Sequence, residues 1–210
     1  PWQRLRTRKL LKPKESHKTE YTLKSTIPIA GIDLIDLSKT FTKRGFLEGY
    51  KFLLVCCIKA SNLIFSIPQK NKTKKHTFEK FEILLKEIKK ITGRTDYIYQ
   101  MDKGGEFVTI RKNYKTKDLR LVSYVERRNS ELQRTLAYIC HYNVASKLRP
   151  ALKIATEKLN NMKSRMTGMT PFESAKIDQK ELYNILVFAK TELLKFQNSE
   201  NILQKKNQID

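Results

Sequence analysis

The sequence predicts an α/β fold in which a mixed sheet of short strands is flanked by helices. Short apolar runs bounded by turn residues fill residues 31–68, a helical pattern follows at 77–92, and another apolar run comes directly after it at 97–101. Tight connections join the first three runs, whereas a helix precedes the fourth. Because helical crossovers are right-handed and join parallel strands, we predict three antiparallel strands, a helix and a parallel strand.

The first three strands are predicted at residues 32–37, 50–58 and 62–68. The connection to the second strand contains two glycines, and the connection to the third is a tight polar turn. Pro68 ends the third strand, because proline cannot donate a hydrogen bond to a neighbouring strand. This spacing favours an antiparallel meander.

The most regular helical pattern covers residues 77–92, with its apolar side chains on one face. Thr77 is its candidate N-cap and Gly93 its predicted end. Residues 108–121 are polar and rich in Lys and Arg, and they predict neither a helix nor a strand. A second long helix is predicted at residues 124–142, where the apolar spacing becomes regular again.

Three further helical patterns complete the chain. One begins near Pro150, which suits the first turn of a helix, and ends by Gly168. Thr170, the proline after it and Glu173 form the pattern of a capping box, which predicts a short helix. Beyond Asp178, an amphipathic pattern leads into a polar tail.

We divide the chain into a basic arm at residues 1–27, a core at 28–175, and a C-terminal amphipathic helix with a polar tail at 176–210. The arm has few apolar residues to bury, so it predicts phosphate contact, with a solvated tail as the alternative. Its candidate phosphate-binding residues are Arg4, Arg6, Arg8 and Lys9.

The formal net charge is +22, from 43 Lys and Arg against 21 Asp and Glu. A field of that size attracts polyanions, so nucleic acid is the expected partner, and a biased composition with solvated charges is the alternative. Three cysteines make no disulfide framework, and three separated histidines predict no zinc site. No apolar run is long enough to cross a membrane and no signal peptide is recognised, so we expect a soluble, intracellular protein without a small-molecule cofactor.

Three acidic residues stand at positions suited to a metal site. Asp102 ends an apolar strand and is followed by two glycines, Asp33 lies on the first strand, and Glu126 lies near the start of a helix. Asp33 competes with Asp36, which the alternation of the strand places on the opposite face. Glu126 has a rival role as the capping-box acid of the helix that begins at Ser123.

Several segments resemble the catalytic cores of the integrases of retroviruses, retrotransposons and Maverick/Polinton transposons, and the resemblance spans roughly residues 28–175. The matching segments, in collinear order, are Ile32-Asp-Leu-Ile-Asp-Leu-Ser38, Tyr50-Lys-Phe-Leu-Leu-Val55, Ile67-Pro-Gln-Lys-Asn-Lys-Thr73, Met101-Asp-Lys-Gly-Gly-Glu-Phe107, Val125-Glu-Arg-Arg-Asn-Ser-Glu-Leu132 and Thr167-Gly-Met-Thr-Pro-Phe-Glu173. The resemblance implies a mixed sheet of the ribonuclease H-like kind. It also places Asp33, Asp102 and Glu126 on the family's metal-binding and catalytic acids.

By this resemblance, the protein is expected to cut DNA and join strands with Mg²⁺ or Mn²⁺, as the integrase of a transposable element. DNA would be its partner, the nucleus its location, and a homo-oligomer its assembly. Asn129 and Gln133 share a helix face close to that of Glu126, and they are candidate nucleic-acid contacts. The alternative is a nucleic-acid-binding or domesticated derivative of such a core that no longer catalyses.

The sequence departs from the integrase pattern in two places. Ala30, Gly31 and Ile32 stand where the family has an aromatic residue just before its first acid. The interval from Asp102 to Glu126 is shorter than in the integrases, so the helix and strand that join the second acid to the third are expected to be missing.

Overall fold

A computed structural model describes residues 27–38, 40–41, 45–118, 123–165, 167–189 and 191–192. The predictions for the basic arm, including those for Arg4, Arg6, Arg8 and Lys9, lie outside the described residues apart from residue 27. The polar tail beyond residue 192 lies outside them as well.

The described residues contain five strands and five named helices. The strands are β1 (Ile29–Asp36), β2 (Phe52–Ile58), β3 (Ile64–Gln69), β4 (Ile98–Met101) and β5 (Thr116–Asp118). The helices are α1 (Lys74–Thr92), α2 (Val108–Asn113), α3 (Ser123–His141), α4 (Leu148–Asn161) and α5 (Pro171–Lys176). Their order along the chain is β1-β2-β3-α1-β4-α2-β5-α3-α4-α5. A single 3₁₀ turn, Gly105–Phe107, precedes α2, and residues 179–189 are helical as well.

The strands form one mixed sheet in the order β3-β2-β1-β4-β5. β1, β2 and β3 pair antiparallel, whereas β4 pairs parallel with β1 and β5 pairs parallel with β4. The predicted α/β class, the antiparallel meander and the parallel fourth strand are therefore confirmed. The fifth strand was not expected.

The interval after Asp102 corrects the prediction that residues 108–121 are irregular. α2 buries Ile110 beside Phe107 in the core next to α1, and β5 then extends the sheet beside β4. Both elements are short, and β5 consists of three polar residues, so neither produces a detectable hydrophobic period. The helix and strand that were expected to be missing between the second and third acids are present in compact form.

α1 begins earlier than predicted. Its N-cap is Thr73, whose hydroxyl accepts the N–H of His76 at 3.4 Å, and its C-cap is Gly93 with a φ of 70°. The predicted cap, Thr77, is instead buried inside the helix, where its hydroxyl accepts a hydrogen bond from Gln69 at 3.2 Å. Two lysines and a histidine fill the first turn, so the apolar pattern starts only after it.

Each face of the sheet has its own core. α1 covers one face through Phe81, Leu84 and Ile88, and α3 and α4 cover the other. β2, which pairs with β3 on one side and β1 on the other, is buried on both faces, and its Cys56 and Cys57 belong to this buried run as free thiols. Removal from water raises the pKa of the Cys57 thiol to about 12.

α4 and α5 begin largely as predicted. Pro150 is the third residue of α4, where the missing N–H costs no helical hydrogen bond. Thr170 and Glu173 form the predicted capping box at the start of α5. Near the end of α4, the buried side chain of Asn160 bonds both the N–H (2.9 Å) and the C=O (2.8 Å) of Ile64, which covers part of the free edge of β3.

In the part of the chain that the structure describes, no helix combines the length and the apolar character needed to cross a membrane.

Candidate active site

Asp33 lies on β1, and Asp102 directly follows β4, the parallel neighbour of β1, on the same face of the sheet. Gly31 of β1 is paired with Gln100 of β4. Continued by two residues, this register places Asp102 opposite Asp33. Neighbouring strands of a sheet are about 4.8 Å apart. Asp33 also pairs with Val55, which belongs to the core under α3 and α4. Both carboxylates therefore belong to the face that carries α3.

Asp36, the competitor of Asp33, has a different environment. It is the last residue of β1, is exposed, and accepts hydrogen bonds from the backbone N–H (2.9 Å) and the hydroxyl (2.6 Å) of Ser38. Because it lies three residues from Asp33, its side chain belongs to the other face of the strand. Asp36 is therefore part of the turn after β1, and Asp33 remains the candidate ligand.

Gly31 allows the first turn of α3 to lie directly against β1. A Cβ added at Gly31 would stand 2.2 Å from Cγ2 of Val125 and 2.5 Å from the hydroxyl oxygen of Tyr124, too close for any side chain. The Tyr124 hydroxyl also donates to Oε1 of Gln100 on β4 at 3.3 Å. These contacts fix the start of α3 over the β1–β4 pair and bring Glu126, the next residue after Val125, to the side of the two aspartates.

Asn129 connects α3 to Asp33. Its amide nitrogen donates to Oδ2 of Asp33 at 2.6 Å, and its side chain is buried. Its carbonyl oxygen Oδ1 is buried as well and has no hydrogen-bond partner in the part of the chain that the structure describes, which leaves one buried acceptor next to Asp33 unused. Glu126 lies one helical turn before Asn129 and Gln133 one turn after it, so the three share one side of α3, as the sequence predicts.

The pKa of the Asp33 carboxyl is raised above its usual value by burial and by the other two acids. Burial is the largest effect and raises the pKa of Asp33, and the negative charges of Asp102 and Glu126 raise it further. Hydrogen bonds from the backbone N–H of Leu34, at 2.8 Å, and from Asn129 act in the opposite direction. The net effect is a raised pKa, caused mainly by the burial of the carboxyl and further by the two neighbouring acids.

The loop after Asp102 is held by contacts that the sequence reading missed. The backbone N–H of Gly104 donates to Oδ1 of Asp102 at 2.9 Å, and the guanidinium of Arg111 donates to the main-chain oxygens of Asp102 (2.8 Å) and Gly104 (3.1 Å). Arg111 belongs to α2, the helix that was not predicted. The unpredicted helix therefore positions the second acid.

Gly104 also allows a second carboxylate to approach Asp102. A Cβ at Gly104 would lie 2.8 Å from Oδ1 of Asp102 and 2.8 Å from Oε2 of Glu106, so both oxygens border the same small space. At Gly105, by contrast, no atom lies within 4 Å of an added Cβ, and neither glycine has a positive φ. The sequence suggested that both glycines serve the site, but only at Gly104 would a side chain meet the two carboxylates, which would have to move aside.

The donor set fits Mg²⁺ or Mn²⁺, which prefer oxygen ligands and keep several waters. Asp33 and Asp102 are side by side, and the unpartnered Oδ1 of Asn129 is buried next to Asp33. Among the described residues, no three His, Cys, Asp or Glu side chains already stand in ligand geometry. The side chain of Glu126 is exposed, and its negative charge raises the pKa of Asp33.

Compared with models of known protein families, the chain matches none, and a search among curated proteins also found no match. Its function is therefore inferred from the arrangement of its own residues.

The raised pKa of Asp33 predicts how the metal-free protein responds to pH. A carboxyl with a raised folded-state pKa stabilises the fold below its unfolded pKa of about 4, and this contribution is lost as pH rises through the folded pKa. In chelator, the midpoint of thermal unfolding should therefore fall as the pH rises from about 4 through the folded-state pKa of Asp33. Asp33→Asn should remove that part of the pH dependence and raise the midpoint at neutral pH. An Asp33→Asn protein that is less stable than the native protein at neutral pH would contradict the prediction.

Proposed function

We propose that this protein is an integrase-like polynucleotidyl transferase with a ribonuclease H-like core, which cleaves DNA and joins strands in the service of a transposable element. One observation carries the proposal: the register of β1 and β4 brings Asp102, directly after β4, next to Asp33, and the negative charges of Asp102 and Glu126 both raise the pKa of Asp33. Three acids from a first strand, a fourth strand and a following helix form the constellation that the resemblance to integrases implies.

In this proposal, Asp33, Asp102 and Glu126 would hold divalent cations, and these would supply positive charge to stabilise the entering and leaving oxygens of a phosphodiester. Asn129 orients Asp33 through its amide nitrogen, and its free oxygen faces the same cluster. Arg111 fixes the backbone that carries Asp102. The chain thus positions the acids from three separate elements and leaves the remaining cation positions open to DNA.

The net charge of +22 supports DNA as the substrate, because phosphate contacts supply most of the affinity of nonspecific binding. We include the basic arm, with Arg4, Arg6, Arg8 and Lys9, in the DNA-binding surface, and Gln133 as a contact beside the acids. A nuclear location and a homo-oligomeric state belong to the same proposal, as they would for an enzyme that joins two DNA partners.

The second candidate is a nucleic-acid-binding derivative that has lost catalysis. It is favoured by the exposed position of Glu126 and by the absence of a preformed ligand group among the described residues. Such a protein would keep the fold and the basic charge without assembling a cation site.

A nicking and strand-transfer assay separates the two candidates. The full chain is incubated with labelled duplex DNA in Mn²⁺, in Mg²⁺ and in chelator, and DNA binding is measured in parallel. The proposed enzyme produces nicked and joined products only with the cations. Equal DNA binding in all three conditions, with no product in any of them, would instead establish the binding protein.

A further inference from the structure

Two tyrosines near the end of α3 are exposed next to each other. Tyr138 is 54% and Tyr142 62% exposed, and their ring centroids are 4.5 Å apart. The ring of His141 meets Tyr142 edge-on at 4.8 Å, and Nζ of Lys158 on α4 stands 5.8 Å from the centroid of Tyr138. We call these four residues the tyrosine surface.

The fold does not use these rings in its core. Ile139 and Cys140, which follow Tyr138 on α3, are buried under the helix, whereas both tyrosines point away from it. Val144, in the turn after α3, is also exposed. A cluster of large exposed side chains is typical of a binding surface rather than of a solvated helix face.

The charges around the tyrosine surface favour an anionic partner. Residues 132–156, which contain both tyrosines and most of the first three turns of α4, include no Asp or Glu. The same segment includes the basic residues Arg134, Lys147 and Lys153, whereas the guanidinium of Arg149 stacks on the ring of Tyr50 and Glu157 directly precedes Lys158. A neutral protein partner would bind through contact with the rings only. Nucleic acid would also be attracted by the positive charge of the neighbouring basic residues.

The tyrosine surface lies apart from the acids. Tyr138 follows Glu126 by twelve residues, which corresponds to about 18 Å along the helix and about 120° around it. A strand bound there would run beside α3 without entering the space between Asp33 and Asp102. The same rigid helix would connect the two sites.

We propose that the tyrosine surface binds single-stranded DNA, with bases stacked on Tyr138 and Tyr142 and with Lys158 and His141 beside the phosphates. Every base has a flat aromatic face, so binding of this kind accepts many sequences. The choice of DNA over RNA rests on the proposed function. The stacking itself rests only on the geometry of the rings and on the charge around them.

The test measures binding of the full chain to a labelled oligothymidylate of about a dozen nucleotides, in chelator, beside an abasic oligomer with the same phosphates. Changing both tyrosines to alanine should weaken oligothymidylate binding about tenfold or more and leave abasic binding unchanged. Changing both to phenylalanine should preserve binding, and Lys158→Gln should lower the salt slope by about 0.7. Phe188→Ala is the matched control, because Phe188 is exposed to 69% and lies in the C-terminal helical segment.

Three results would overturn the proposal. The first is unchanged oligothymidylate binding by the double alanine variant, or an equal loss for the abasic oligomer. The second is tighter binding to the matching RNA oligomer, which would overturn the choice of DNA. The third is a loss of self-association without a loss of DNA binding, which would make this surface a protein interface. Because chelator is present throughout, failure of the catalytic proposal would not affect any of these measurements.

Discussion

Asp102→Asn should abolish metal-dependent nicking and strand transfer, with a loss of at least about a hundredfold, because changes to groups that only support metal ligands already cost about 10- to 100-fold. The neutral amide preserves the shape of the side chain and its contact with the N–H of Gly104, which is 2.9 Å away. The fold should therefore survive while cation affinity falls. The measurements are product formation in Mn²⁺, together with Mn²⁺ binding followed by calorimetry.

Asp36→Asn is the matched control, since Asp36 lies on the same strand as Asp33 but is exposed and bonded to Ser38. It should leave activity within about twofold, as expected for a surface substitution that removes no ligand. Glu126→Gln then distinguishes the two candidate functions. A loss as large as that of Asp102→Asn would make Glu126 a ligand, whereas activity indifferent to both Asp102→Asn and Glu126→Gln would exclude the acidic site.

Most of the sheet could be predicted from the sequence because its strands are buried. β2 is apolar throughout and β1 nearly so, and the helical period of α1 is long and unmistakable, so local pattern and tertiary burial agree. The parallel pairing of β4 follows from the handedness of the crossover. The sequence could not reveal β5, because a three-residue polar edge strand gains its pairing from the exposed edge of β4 and not from a pattern of its own.

The residues of the candidate site could be predicted where the period of a strand or helix determines the face on which a side chain lies. Asp33 and Asp102 could be placed because strand alternation and the glycine after Asp102 restrict where their side chains lie. The roles of Arg111 and Glu106 could not be anticipated, since both depend on how the chain folds back after Asp102. Whether Ser123 caps α3 through Glu126 stays a prediction, because the side chain of Ser123 lies outside the described residues.

Asn129 shows that the helix face on which a residue lies does not determine what its side chain contacts. The helical period places it on the side of Glu126, and a phosphate contact was the natural expectation. The structure directs its amide nitrogen to Asp33 instead, a contact across 96 positions of sequence that only tertiary packing creates. The remaining carbonyl oxygen has no hydrogen-bond partner among the described residues, and because it can only accept, the prediction that Asn129 binds nucleic acid now requires a base N–H or a sugar hydroxyl and not a phosphate oxygen.

Gly31→Ala should destabilise the protein by about 1–3 kcal/mol, the usual cost of inserting a group into a filled core. The added methyl carbon would meet Cγ2 of Val125 at 2.2 Å and the hydroxyl of Tyr124 at 2.5 Å, so the first turn of α3 must move away from β1. Because Glu126 follows Val125 directly, this movement also displaces the third acid. The midpoint of thermal unfolding and the affinity for Mn²⁺ should therefore both fall in the same variant.

Gly105→Ala is the control for this prediction, since no atom lies within 4 Å of a Cβ at that position. It should leave the unfolding free energy within about 0.5 kcal/mol of the native value, as expected for a substitution that fills open space. Combining Gly31→Ala with Val125→Ala and Tyr124→Phe removes the two groups in the way and should restore part of the Mn²⁺ affinity. If Gly31→Ala left both stability and Mn²⁺ binding unchanged, α3 would not be docked through this glycine, and the position of Glu126 beside Asp33 would lose its structural basis.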